Sequence, residues 1–108
     1  LLASKVAKLI GADLLIVLST VDGLYTSKED VQSRKLSSLI KEVRKITPKI
    51  KKMAGHASQM GKGGMISKIE AAEICLKNNC VMVITSGKNN KPIRGIAKRA
   101  KATWFVKR

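Results

Sequence analysis

The 108-residue sequence predicts an open α/β sheet, mostly parallel, sandwiched by helices. Three observations carry that reading. Two apolar runs, residues 14–18 and 81–84, are continuous and not alternating, as expected of strands covered on both faces. Each follows a stretch of helical periodicity that stops at Gly or Asn. Helix-like and strand-like segments then alternate along the chain, the pattern of a parallel sheet between helix layers.

The elements follow in order. Leu2, Val6, Leu9 and Ile10 recur at helical spacing with Lys5 and Lys8 on the other face, and Gly11 stops this amphipathic helix. The strand over 14–18 ends in Ser19-Thr20-Val21-Asp22-Gly23, where Asp-Gly marks a turn. Residues 25–35 are polar and loop-like. Leu36 to Met53 repeats helically, yet Pro48 interrupts it. Proline disfavours helix at the residue before it and suits the first helical position. An extended or short helical piece up to Ile46 is therefore expected. A short helix from Pro48 to about Ala54, with Thr47 as N-cap, follows it.

Residues 55–64 form a glycine-rich loop, and a helix begins near Met65, with Met65, Ile69, Ala72 and Leu76 on one face. Glu70 and Glu73 early and Lys77 late suit the helix dipole, and Glu73 and Lys77 form an i,i+4 pair. Asn78-Asn79 ends it, 81–84 is the second strand, and Ser86-Gly87 turns. A short helix over 92–100 and a closing strand over 103–106 complete the order.

Composition bounds the function. A mixture of 44% hydrophobic and 27% charged residues is that of a globular chain. The length suits one domain or half of a larger one. No apolar run approaches the roughly 20 residues of a membrane span, and no secretory signal pattern opens the chain. The start at Leu1, without Met and inside what reads as a helix, suggests a fragment, an edited sequence or a truncated gene product. Two cysteines and one histidine leave too few ligands for a recognisable zinc site, and the thiols are expected free, as small buried hydrophobes in a reducing compartment. His56 reads as a polar loop residue, lacking a nucleophile-elbow motif. Met53, Met60, Met65 and Met82 read as packing residues, and Trp104 and Phe105 as cover for the sheet.

A net charge of +15, from 22 Lys+Arg against 7 Asp+Glu, invites a nucleic-acid-binding module. Lys41, Arg44, Lys45, Lys49, Lys51 and Lys52 cluster, and so do the basic residues after Lys88. The aromatics are Tyr25, Trp104 and Phe105, none of which reads as a stacking platform among the basic residues, and no nucleic-acid motif occurs. A solvated basic face is the simpler reading.

The segment Gly61-Lys62-Gly63-Gly64-Met65-Ile66-Ser67-Lys68 carries the chemistry. Its glycines let backbone amides approach an anion, and a helix start adds positive dipole. Lys68, in the first turn, leans back toward that end. It is not a Walker A loop, because the lysine lies four residues beyond the last glycine. Spacing alone is equally compatible with a plain glycine-rich loop and a solvated lysine.

The segment resembles the G-x-G-T-G-G-M-x-T-K motif of glutamate 5-kinases, within the amino acid kinase family. Gly11-Ala12-Asp13-Leu14-Leu15 and Ser19-Thr20-Val21-Asp22-Gly23-Leu24-Tyr25-Thr26 resemble G-A-D-x-L-x-L-L-T-D-V-D-G-L-Y-T. Ile46-Thr47-Pro48-Lys49-Ile50 with Met53-Ala54-Gly55 resembles I-T-P-E-I with M-A-G. Lys68-Ile69-Glu70-Ala71-Ala72, Thr85-Ser86-Gly87 and Ala102-Thr103-Trp104-Phe105 resemble K-L-x-A-A, A-S-G and G-T-L-F. The resemblance spans essentially the whole chain.

It implies an amino acid kinase fold and Mg2+-ATP-dependent phosphorylation of the γ-carboxylate of L-glutamate, the first step of proline biosynthesis, in the cytoplasm. Residues 1–108 would be the C-terminal, ATP-binding part of the kinase domain, without the PUA domain of many bacterial members. Lys68 would be the catalytic lysine. Ser19, Thr20, Lys62, Gly63, Gly64, Met65, Ile66, Ser67 and Lys68 would bind ATP. Glutamate-binding residues, on the family's G-D-N-D motif, would precede Leu1, and no residue of the chain is expected to ligate metal. The full-length enzyme would be a homo-oligomer, with neither membrane nor nucleic acid as partner. Thr20 stands where the family has Asp and Lys62 where it has Thr. Acetylglutamate and uridylate kinases share the glycine segment, and Ile46-Thr47-Pro48 favours the glutamate enzyme over them. A split gene product with a structural role is a further alternative.

Half an active site should not turn over. The isolated chain is expected to release no ADP from Mg-ATP in a coupled assay with glutamate, and glutamate-dependent turnover would refute this.

Overall fold

The computed structural model describes residues 2–26, 38–57, 64–88 and 101–107. Its elements are α1 (Leu2–Ile10), β1 (Leu14–Ser19), β2 (Glu42–Val43), α2 (Pro48–Ala57), α3 (Met65–Lys77), β3 (Val81–Ser86) and β4 (Ala102–Phe105). The strands form one sheet in the order β1-β3-β4-β2. β1 pairs parallel with β3 and β2 parallel with β4, while β3 and β4 run antiparallel. The predicted mostly parallel α/β sheet is therefore present. The expected segments at 27–35, 58–63 and 92–100 lie outside the described residues.

Two helix–strand units are built alike. At the end of α1, Gly11 takes φ 67°. Its amide donates to the Lys8 carbonyl at 3.2 Å, and the Ala12 amide donates to Ala7 at 2.9 Å. This is a Schellman stop, and glycine adopts its left-handed residue without a β-carbon penalty. At the end of α3, Asn79 takes φ 56°. The Asn79 amide donates to Leu76 at 3.4 Å and the Cys80 amide to Cys75 at 2.8 Å. Asparagine tolerates the same conformation. Each stop turns the chain back into a strand, and the two strands pair from Leu14↔Val81 to Ser19↔Ser86.

α1 and α3 lie side by side. The faces they bury carry small residues, Ser4 and Ala7 on α1 and Ala71 and Ala72 on α3. The apolar stripe that marked α1 in the sequence faces outward instead, with Leu2, Val6, Leu9 and Ile10 all exposed. The run 14–18 is likewise not covered on both faces, since Leu14 and Leu18 are exposed, and among the described residues β1 is an edge strand. A parallel strand buried on both faces and an apolar edge strand share one sequence signature, and only the neighbours distinguish them.

The core lies under α1, α2 and α3, where Met65, Ile69, Cys75, Met82, Ile84 and Phe105 are buried together. A smaller cluster on the opposite sheet face joins Val83 and Ala102 to Ile16 and Trp104. Thr47 caps α2 as expected, accepting from the Ile50 amide at 3.2 Å. The helix runs through Ala57, past the expected end near Ala54, so His56 belongs to a helix and not a loop. α3 has no acidic residue in its first turn, and Glu73 meets Lys51 of α2 at 3.6 Å. Both cysteines are free and buried. Burial, with Cys80 adjacent, pushes the Cys75 thiol up to about 12.

One side chain joins the far end of the sheet to the loop after β1. The Thr103 hydroxyl accepts from the Leu24 amide at 2.8 Å and donates to the Ile40 carbonyl at 2.6 Å. A β-carbon at Gly23 would collide with that hydroxyl and sit 3.0 Å from the Thr103 amide nitrogen. Tyr25 donates to the buried Asp22 carboxylate at 2.9 Å. Thr103→Val keeps the shape but leaves one buried donor and one buried acceptor unmade, at about 1–3 kcal/mol each. Urea denaturation should therefore show a loss of roughly 2–4 kcal/mol for Thr103→Val and about 1 kcal/mol for Thr103→Ser, which keeps both bonds and loses a methyl.

Candidate functional site

Parallel pairing decides where chemistry can collect. β1 and β3 end together, Ser19 beside Ser86, and open parallel sheets bind ligands outside such carboxyl ends. α3 returns into β3 through a three-residue turn and packs against it. A helix so connected runs antiparallel to its strand, so its N-terminus lies at the carboxyl end of the sheet. By this connectivity three segments lie at that end: Ser19 and Thr20 after β1, Ser86 and Gly87 at the end of β3, and Gly64 to Lys68 at the start of α3.

The first two are knitted together. The Gly87 amide donates to the Ser19 carbonyl at 2.9 Å. The Val21 amide approaches Ser19 Oγ at 3.3 Å, and the Lys88 amide donates to Ser86 Oγ at 3.1 Å. A β-carbon at Gly87 would press on Leu18 at 3.3 Å. Ser19, the last residue of β1, is half-buried, and Thr20 after it is exposed.

The third is a helix start without a side-chain cap. Gly64 occupies the N-cap with extended backbone, φ −65° and ψ −176°. The Lys68 amide closes the first turn on the Gly64 carbonyl at 3.3 Å. The first turn of a helix offers amides with no carbonyl four residues back within it, and the dipole adds to the positive potential there. Met65 anchors the turn in the core, whereas Ile66 is exposed and Ser67 half-buried. Lys68 is half-buried, and desolvation holds its amine below the ordinary lysine value of 10.5. An anion at the helix end would meet backbone donors and an ammonium on a flexible stem, a combination suited to phosphate.

Of the residues expected to bind nucleotide, Ser19, Thr20, Gly64, Met65, Ile66, Ser67 and Lys68 are brought to this end of the sheet. Lys62 and Gly63 lie outside the described residues. Ser86 and Gly87 were not among the expected site residues, although a second apolar run ending in Ser-Gly is the signal that two strands finish side by side. Among the described residues no three His, Cys, Asp or Glu side chains gather closely enough to hold a metal ion. No helix of the described residues is long and apolar enough to cross a membrane.

Comparison with known proteins gives this geometry a lineage. Residues 1–86 match the amino acid kinase family. The glutamate 5-kinase of Pelagibacter ubique (strain HTCC1062) is 49% identical over 106 residues, covering 97% of this chain and 28% of that protein. The glutamate 5-kinase of Allorhizobium ampelinum is 46% identical, with 97% and 26% covered. The chain thus spans little more than a quarter of these relatives. The crystal structure of UMP kinase from Ureaplasma parvum superposes with a TM-score of 0.57 over 95% of this chain and 37% of that one. At 14% identity that likeness concerns the fold alone. With strand ends, helix start and lysine in this arrangement, and four-fifths of its length matched, the chain belongs to the amino acid kinase family.

Proposed function

We propose that this chain is the C-terminal, ATP-binding part of a glutamate 5-kinase, which transfers the γ-phosphoryl group of ATP to the γ-carboxylate of L-glutamate in the first step of proline biosynthesis. The observation that carries the reading is Lys68, half-buried in the first turn of α3 at the carboxyl end of a parallel sheet. Identity of 41–49% to glutamate 5-kinases over 97% of the chain supports the choice of substrate.

In this reading the first-turn amides of α3, with Lys62 and Gly63 before it, cradle the ATP phosphates. Ser19 and Thr20 border the nucleotide at the end of β1. A carboxylate oxygen of glutamate attacks the γ-phosphorus, the bond to the bridging oxygen of ADP breaks, and ADP departs with that electron pair. Lys68 keeps its ammonium against the equatorial phosphoryl oxygens, where charge spreads in the transition state. Glutamate is held by polypeptide that the relatives possess beyond the matched quarter.

Mg-ATP at ten times its dissociation constant should stabilise the chain by about 1.4 kcal/mol, read as a rise in Tm. Lys68→Met should weaken that binding roughly tenfold, as loss of one charge-assisted contact does. Salt-sensitive retention on heparin without ATP protection would instead favour the basic-module reading, for which the exposed cations between Lys41 and Lys52 are the candidate surface. Lys68 also makes a pH-dependent prediction. Its depressed amine binds protons less well folded than unfolded, so its burial costs stability in full below the folded pKa. That cost is relieved as pH rises from the folded pKa toward 10.5. The parent should gain stability relative to Lys68→Met across that window in a pH series of denaturations, and bound ATP should raise the Lys68 pKa in an NMR titration.

A further inference from the structure

The chain has two cysteines, and the fold puts them together. Cys75 lies in the last turn of α3 and Cys80 just before β3. The Cys80 amide donates to the Cys75 carbonyl at 2.8 Å, and the Asn78 amide donates to the same oxygen at 3.0 Å. Standard backbone dimensions then keep the two α-carbons within about 6.7 Å of one another, inside the range that disulfides bridge. Both residues are buried, 1% and 3% exposed, in one core. Their thiols are near enough for a hydrogen bond between them. These are the two positions whose side chains meet across a Schellman stop.

The molecule contains its own comparison. At the stop after α1 the corresponding positions hold Ala7 and Ala12, joined by the same amide-to-carbonyl bond at 2.9 Å. Methyl groups suffice there, so packing at this motif does not require sulfur. The stop after α3 is also the looser of the two. It places Asn79, not glycine, in the left-handed conformation, and the Asn79 amide reaches Leu76 only at 3.4 Å.

We infer that Cys75 and Cys80 form a dithiol–disulfide couple, which a small-molecule disulfide of the glutathione class closes into a covalent staple across the end of α3. One thiolate attacks a sulfur of the small disulfide and expels a small thiolate. The other cysteine then displaces the second small thiolate from the mixed disulfide. The Sγ–Sγ bond forms as the incoming S–S bond breaks, two electrons pass to the small disulfide, and the two thiol protons leave with its two thiols. Burial, with Cys80 adjacent, holds the Cys75 thiol at about 12, so exchange waits on local opening of the helix end. The couple is therefore slow to close and, once packed in the core, slow to reopen. It acts as a store of stability set by the surrounding redox state, not as a rapid switch. Closing ties α3, whose first turn holds Lys68, to β3, the strand that pairs with both β1 and β4. None of this depends on the kinase reading.

The test incubates the reduced 108-residue chain, under native conditions, with reduced and oxidised glutathione at a ratio of about ten to one. Alkylation followed by intact mass should find most of the chain monomeric, without free thiols or bound glutathione, and lighter by two hydrogens. Closing should be at least roughly a hundredfold slower than exchange by free glutathione. Tm should rise by about 5 °C or more on closing and fall back on reduction. Cys75→Ala combined with Cys80→Ala copies the stop after α1, and its Tm should ignore the glutathione ratio. Cys80→Ala alone should carry at most one glutathione and gain no stability. Four results on the parent chain would each overturn the inference: persistent glutathione adducts, a disulfide-linked dimer, a closed form of lower Tm, or thiols that stay free until the chain unfolds. These are read on the parent alone, so they hold even where a variant fails to fold.

Discussion

The parallel pairing of β1 with β3 is the constraint on which the other features depend. It sets Ser19 beside Ser86, and it requires α1 and α3 to run back along the same sheet face as neighbours. Two helices side by side must approach closely, so their shared faces are small: Ser4 and Ala7 against Ala71 and Ala72. Identical turn chemistry at Gly11 and Asn79 delivers each strand in the same phase. A slip of one residue would turn Leu15 and Val17 out of the core and break the alignment at the carboxyl end. Register, helix contact and site geometry are one arrangement.

Thr103 extends that arrangement across the molecule. Its hydroxyl holds the loop after β1 and the segment before β2 against β4, with Gly23 pressed against it. The loop so held begins at Thr20, at the end of the strand that borders the candidate nucleotide site. A methyl-and-hydroxyl side chain buried on β4 therefore limits the freedom of a site segment to which it contributes no atom. The Tyr25 to Asp22 bond tightens the same turn locally.

Much of this was legible in the sequence because it is written in local chemistry. Continuous apolar runs announced β1 and β3, Gly11 and Asn79 announced the helix stops, and Thr47-Pro48 announced α2. The start of α3 and its lysine were legible for the same reason. What failed was non-local. The stripe Leu2, Val6, Leu9 and Ile10 has the period of a buried helix face, and periodicity records that a face is apolar, not that it meets this chain. The place of β1 at the edge of the described sheet is set by strand order, which its own residues do not encode. Leu24 and Thr103 are 79 positions apart, so no pattern around either announces their bond. Ser86 and Gly87 join the site only through the parallel register, which no single segment encodes.

That register has a consequence in time. Leu14 and its partner Val81 are separated by 81 − 14 = 67 residues. At roughly 5–20 residues per second, a ribosome needs about 3–13 s to deliver β3 after β1 has been made. Throughout that interval the α1–β1 unit exists without β3, the strand that pairs with it. β1 is thus made well before the strand that pairs with it, and transiently unpaired strand edges are prone to aggregate.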